Sequence, residues 1–169
     1  MKFARASFAT ALVLGAGLTL SAGEPARWGF QGGIALPVGD LGDIAGPGLE
    51  GGAHLQWNFG RGHGLITRAD LTFYGNKDGY SNTSLGGGAD YTYHLGQEPL
   101  GLYLLGGLSI LNFNTSPPEG SSDNRSSLGL DLGVGYDMSR NLGFQARYTS
   151  HSSSGRGYNT MNLGVLFTF

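Results

Sequence analysis

Alternation with a period of two runs through eight separate stretches of this chain, and it constrains the fold more than any other feature. The clearest is Ser126 to Met138, where Leu128, Leu130, Leu132, Val134, Tyr136 and Met138 alternate with Gly129, Asp131, Gly133, Gly135 and Asp137. A β-strand turns successive side chains to opposite faces, so such a stretch is a strand with one apolar and one polar face. Seven others repeat the pattern: about 27–37, 49–59, 64–74, 83–95, 100–113, 141–151 and the last twelve residues. The stretch 100–113 is apolar on both faces, with Tyr103, Leu105, Ser109 and Leu111 on the second. In the last stretch Met161, Leu163, Val165, Phe167 and Phe169 share a parity, and Leu166 breaks the polar side. No helical period is visible, and the chain has 32 glycines. Spread through regular alternation, these suit bulges and close packing in a sheet and not disorder.

The first 22 residues read differently. Lys2 and Arg5 form a basic start, Phe8 to Leu20 an apolar core, and Ser21-Ala22-Gly23 a small-residue cleavage site. This is the pattern of a secretory signal peptide, and its core is short for a membrane-spanning helix. Residues 23–169 then form one domain with negative net charge, which argues against a nucleic-acid partner. There is no cysteine, so neither a disulfide framework nor a thiolate metal site is expected. His54, His63, His94 and His151 are scattered, and no cofactor or metal is expected.

Strands of roughly ten residues match the length that crosses a bilayer at a tilt, and single-chain bacterial barrels have an even number of them. Short links at about 60–63, 96–99 and 139–140 alternate with longer ones at about 38–48, 75–82, 114–125 and 152–157. Alternating short turns and long loops are the mark of an outer-membrane barrel, and the pattern puts both termini in the periplasm. Trp28, Phe30, Trp57, Phe59, Tyr91, Tyr93, Tyr136, Phe144, Phe167 and Phe169 lie on the apolar parity near the short-turn ends. They form the expected aromatic girdle at one membrane interface. The fold class is therefore all-β, an eight-stranded antiparallel up-and-down transmembrane barrel.

The leader, the eight strands, the loop asymmetry and the terminal Phe169 resemble the small outer-membrane barrels of the OmpA, OmpX and OmpW type. The segment Leu128-Gly-Leu-Asp-Leu-Gly-Val-Gly-Tyr-Asp-Met138 followed by Asn141-Leu-Gly-Phe is similar to their sixth-to-seventh hairpin. The resemblance implies an integral outer-membrane location and, as partners, membrane lipid, lipopolysaccharide and the insertion machinery that reads a terminal strand such as the one closing on Phe169. It also implies a monomer with a structural, surface-interaction or narrow-pore role. A periplasmic anchoring domain is not expected after Phe169.

Chemistry, if any, sits on the polar parity. Glu50, His54, Arg68, Asp70, Asp90, Asp131 and Arg147 should form a polar network in the lumen, beside His94, Asp137 and His151. Charges inside a membrane need partners. Reflection about the hairpin turns sets Arg147 near Asp131, His54 opposite Arg68, and Arg68 near Asp90. The inward glycines leave room for small water-filled voids. Eight strands enclose an interior just wide enough for side chains, so a plugged lumen is favoured over a path for ions.

Two other readings stay open. The stretch Arg147-Tyr-Thr-Ser-His151-Ser-Ser153 is similar to the His-x-Ser-Asn segment of PagL-type lipid A deacylases. That resemblance implies His151 as base and Ser153 as nucleophile in acyl transfer. Ser154 stands where that family has Asn, and no acid follows His151 to orient it. The other reading is a barrel that binds a small apolar ligand along the Tyr103, Leu105, Leu111 wall.

Overall fold

The structure, a computed structural model, describes residues 25–77, 79–96, 98–117, 123–153 and 155–169, and of Ser153 and Arg156 the backbone alone. The expected leader lies outside the described residues, as does the middle of the 114–125 loop. The strands are β1 (Arg27–Val38), β2 (Gly46–Gly60), β3 (His63–Gly75), β4 (Ser81–His94), β5 (Gly101–Ser116), β6 (Asp123–Asp137), β7 (Leu142–Ser153) and β8 (Arg156–Thr168). Each pairs antiparallel with the next, and β8 closes onto β1 through pairs such as Phe30↔Phe167 and Ile34↔Leu163. Closure satisfies the backbone groups of both edge strands within the sheet, the condition for a β-structure to sit in hydrocarbon.

The two faces are inverted relative to a soluble barrel. On β6, Leu128, Leu130 and Leu132 are each more than 60% exposed, while Asp131 between them is 1% exposed. The other strands repeat this: Phe73, Leu108, Ile110 and Phe167 face out, and His54, Arg68, Asp90 and Arg147 face in. An apolar belt around the whole circumference would be a severe aggregation liability in water and is what lipid requires. Leu166, the odd residue of β8, points inward and is buried.

One end of the barrel, the turn end, carries the links 61–62, 95–100 and 138–141, and there the start of β1 meets the end of β8, the Phe169 N–H donating to the Trp28 carbonyl at 2.8 Å. The tightest link at this end is Arg61-Gly62, with φ of 53° and 82°. Two successive positive φ values match the twist of a two-residue hairpin, and glycine takes the second at no steric cost. The other end, the loop end, carries the links after β1, β3, β5 and β7.

Two expectations about these links need correction. Strict alternation of short and long does not hold: β5 and β6 stay paired out to Thr115↔Asp123, and β7 and β8 out to Ser153↔Arg156. Much of what reads as polar loop is hairpin standing beyond the apolar belt, because backbone groups still pair where side chains turn polar. The first long link also contains a helix, α1 (Asp40–Ile44). Five residues are too few to show a period in sequence.

Three of the inward glycines that were expected to leave voids are filled from the neighbouring strand. The Tyr103 ring lies over Gly135, the His54 ring over Gly29 and the Asp90 carboxylate over Gly107, each in the space a Cβ would take. Glycine on one strand thus makes room for a large side chain on its neighbour. Gly135→Ala is expected to cost about 1–3 kcal/mol through this overpacking. The check is a urea titration of the barrel in vesicles; Gly51→Ala, with no atom within 4 Å of its added methyl, is the neutral comparison.

The polar network of the lumen

The lumen is built around two arginines that reach in from strands on different sides of the barrel. Arg68 of β3 and Arg147 of β7 carry the long, forked side chains that can bridge an eight-stranded interior. Arg68 donates from Nε to Asp90 at 3.0 Å, from Nη2 to Asp131 at 2.6 Å, and from Nη1 to Asp70. Arg147 donates from Nη2 to Glu50 at 3.2 Å and from Nη1 to Gln145 at 3.0 Å. It also lies 3.6 Å from Asp70 and 4.0 Å from Asp90. The two guanidiniums therefore share Asp70 and Asp90, and between them hold four carboxylates from β2, β3, β4 and β6. Gln31 of β1 donates to Asp70, and Ser109 of β5 donates to Asp131 at 3.0 Å. Seven of the eight strands contribute a polar group, so the network ties the barrel across its axis.

The hairpin arithmetic succeeds only in part. His54 is opposite Arg68 in the register, yet its Nε2 pairs with Thr168 of β8 at 3.0 Å. Arg68 meets Asp90 as expected. Arg147 does not ion-pair with Asp131 as reflection about the turn suggests; Gly133 faces Arg147 and Thr149 faces Asp131. Asp131 goes to Arg68 across the lumen, and Arg147 to Glu50. Side chains inside a barrel point to its axis, so neighbours across the axis outrank neighbours along a hairpin.

Other groups flank the network. Toward the turn end His94 meets Asp137 at 2.9 Å, and its ring lies 4.9 Å from that of Tyr103, whose hydroxyl accepts from Gln145. The turn-end mouth itself is a shallow polar depression lined by Gln56, Asn58, Asp137 and Thr168. At the loop end the lumen is closed by apolar groups. Leu41 of α1 is fully buried among Ala35, Ala45, Tyr74, Phe113 and Tyr158. The Phe113 ring lies 5.7 Å from Tyr74 and 5.2 Å from Tyr158. Lys77 and Asn82 donate to the carbonyls of Gly42 and Ile44 at 2.6 and 2.8 Å, and Asp40 accepts from the Gly157 N–H at 2.8 Å. Sequence reasoning missed this plug. Its signal was an apolar Leu-x-x-Ile in a loop otherwise suited to solvent.

The apolar wall of Tyr103, Leu105 and Leu111 is not continuous. Ser109 interrupts it with its bond to Asp131, and Leu111 packs against the plug. His151 is buried in the lumen, with Nε2 3.2 Å from Ser109 on β5. The side chain of Ser153 is outside the described residues. The ten girdle aromatics all lie at the turn end on the outward parity. Trp57 and Tyr93 are half-buried and the others exposed. Trp28, Phe30 and Phe169 form one cluster, with Trp28 5.5 Å from Phe30 and 5.0 Å from Phe169. His63, which sequence reasoning left among scattered histidines, stands exposed among them beside Tyr91 and Tyr93.

Residues 6–169 match the family model described as the outer membrane protein beta-barrel domain. No curated protein matches the chain. Among solved structures, the attachment invasion locus protein Ail of Yersinia pestis, in complex with the heparin analogue sucrose octasulfate, is similar with a TM-score of 0.60 and 18% identity; the match covers 85% of this chain and 99% of that one. Neisserial surface protein A is similar with a TM-score of 0.55 and 20% identity, over 88% and 99%. The N-terminal β-barrel domain of Pseudomonas aeruginosa OprF is similar with a TM-score of 0.55 and 18% identity, over 87% and 99%.

Proposed function

This chain belongs to the outer membrane protein β-barrel domain family, and from that premise we propose that it is a closed, non-enzymatic barrel that works through its surfaces. It is an integral outer-membrane protein. In this reading the turn end and both chain ends face the periplasm, and the loop end faces outward. The barrel stands as a monomer in contact with membrane lipid and lipopolysaccharide, and its C-terminal strand ending on Phe169 is what the insertion machinery reads. The observation that carries the reading is the filled lumen: an ion network that crosses the axis, beneath a plug in which Leu41 has no exposed surface. A solute would have to break buried ion pairs and displace α1 to pass.

The loop end is the surface left for a partner. Asp40, Asp43 and Asp123 lie there with Lys77 and Arg125. Among the described residues this mixed, partly acidic set does not favour a sulfated polyanion like the one held by the Yersinia protein. Against a hydrolase, His151 turns its ring toward Ser109 inside the barrel, away from any lipid outside.

The test is conductance. The full-length chain, inserted into a planar bilayer, is expected to give no stepwise current at moderate voltage. Regular, reproducible current steps with Leu41 in place would overturn the closed-barrel reading and favour a narrow pore.

A further inference from the structure

We propose that Arg61 and His63 form a docking site for the phosphate of a glycerophospholipid in the periplasm-facing leaflet; this rests on the reading that the turn end faces the periplasm. β3 begins at His63, directly after the Arg61-Gly62 turn. His63 shares the outward parity of Leu65 and Leu71, and it is exposed. It sits opposite Tyr93 in the register, with ring centroids 5.1 Å apart. Its Nδ1 is engaged by the Tyr91 hydroxyl, which fixes the ring and leaves Nε2 as the edge turned away from Tyr91.

The level is that of the aromatic girdle, where tryptophan and tyrosine mark the headgroup layer. A lipid phosphate is the anion found there. Arg61 is exposed at the tip of the same hairpin, two residues away. A guanidinium and an imidazole N–H both donate to phosphate oxygens through charge-assisted bonds. The surrounding sequence has the matching charge: no Asp or Glu occurs between Glu50 and Asp70. The other turn-end links differ: Glu98 lies in one, and Asp137 immediately precedes the other. His63 is thus an oriented donor set in an acid-free hairpin on the lipid side, where an apolar or aromatic residue would serve the girdle equally well.

The experiment is native mass spectrometry of the full-length chain in mild detergent, titrated separately with phosphatidylethanolamine and with lipopolysaccharide. The wild type is expected to retain one glycerophospholipid. His63→Phe keeps the ring, and Arg61→Asn tolerates the positive φ of the turn. Each is expected to weaken retention about tenfold, the weight of one hydrogen bond to a charged group. Tyr91→Phe, which frees the His63 ring, should give a smaller loss in the same direction. Heat-modifiable migration in gels shows that each variant is folded. Retention unchanged by all three substitutions, or no retained glycerophospholipid in the wild type, overturns the site. Retention of lipopolysaccharide instead, lost on the same substitutions, overturns the orientation and with it the assignment of the leaflet.

Discussion

Arg68→Ala is expected to destabilise the barrel by about 3–5 kcal/mol, the cost of removing one partner from a buried ion pair. Arg68 has 4% of its side chain exposed and holds Asp70, Asp90 and Asp131, of which Asp90 and Asp131 have no exposed side-chain surface. Truncation leaves those three carboxylates with Arg147 as the one remaining guanidinium of the network. The expected damage comes from stranded charge more than from lost contact. It follows that Arg68→Met combined with Asp90→Asn should be less destabilised than Arg68→Ala alone, although it removes more of the network. The check is a urea unfolding titration in lipid vesicles, read by the fluorescence of Trp28 and Trp57. A cost below about 1 kcal/mol, the range of exposed pairs, would mean that the lumen is wet enough to solvate the stranded acids.

Val134→Arg is expected to cost about 2–4 kcal/mol, the penalty for a cation near the middle of a barrel's lipid face. Val134 is 45% exposed on the outward parity of β6, between Leu132 toward the loop end and the girdle residue Tyr136. It pairs with Leu104 on β5 and Ala146 on β7, so no polar neighbour is at hand. The same titration measures it, and Met138→Arg beyond the girdle should cost much less. A flat profile between the two positions would mean that β6 does not cross hydrocarbon there. These two substitutions probe opposite faces of the barrel, and each fails for the reason its own face exists.

The relation between sequence and structure differs from strand to strand. β6 is fully legible because its alternation is unbroken from Leu128 to Met138. β5 is harder, since Tyr103 and Leu105 make its inner face apolar as well. The register still turns Leu102, Leu104, Leu108 and Ile110 outward, because antiparallel pairing with β6 fixes the parity of the whole strand. The ends were the least legible. Asn114 and Thr115 read as loop, yet they pair with Asn124 and Asp123. Nothing in polar composition distinguishes a hairpin that projects from the membrane from an irregular loop.

The candidate site shows the same division. Its members are visible one by one as charged residues on the inward parity. Their partners are not. Arg147 was expected at Asp131 and is found with Glu50, whose strand is distant from β7 in sequence. Leu41 closes the loop end from a helix too short to leave a periodic signal. His63 gains meaning only because Tyr91 and Tyr93 flank it on the next strand.

What the sequence determined by itself is therefore the set of strands, the face each residue takes and the membrane as the surrounding medium. These follow from the pleat, a local property that repeats every two residues. What only the tertiary structure decided is who meets whom across the axis, how far the hairpins project, and what closes the mouth. Those depend on the stagger with which eight strands close into a cylinder, and no window of sequence shorter than the whole barrel contains it.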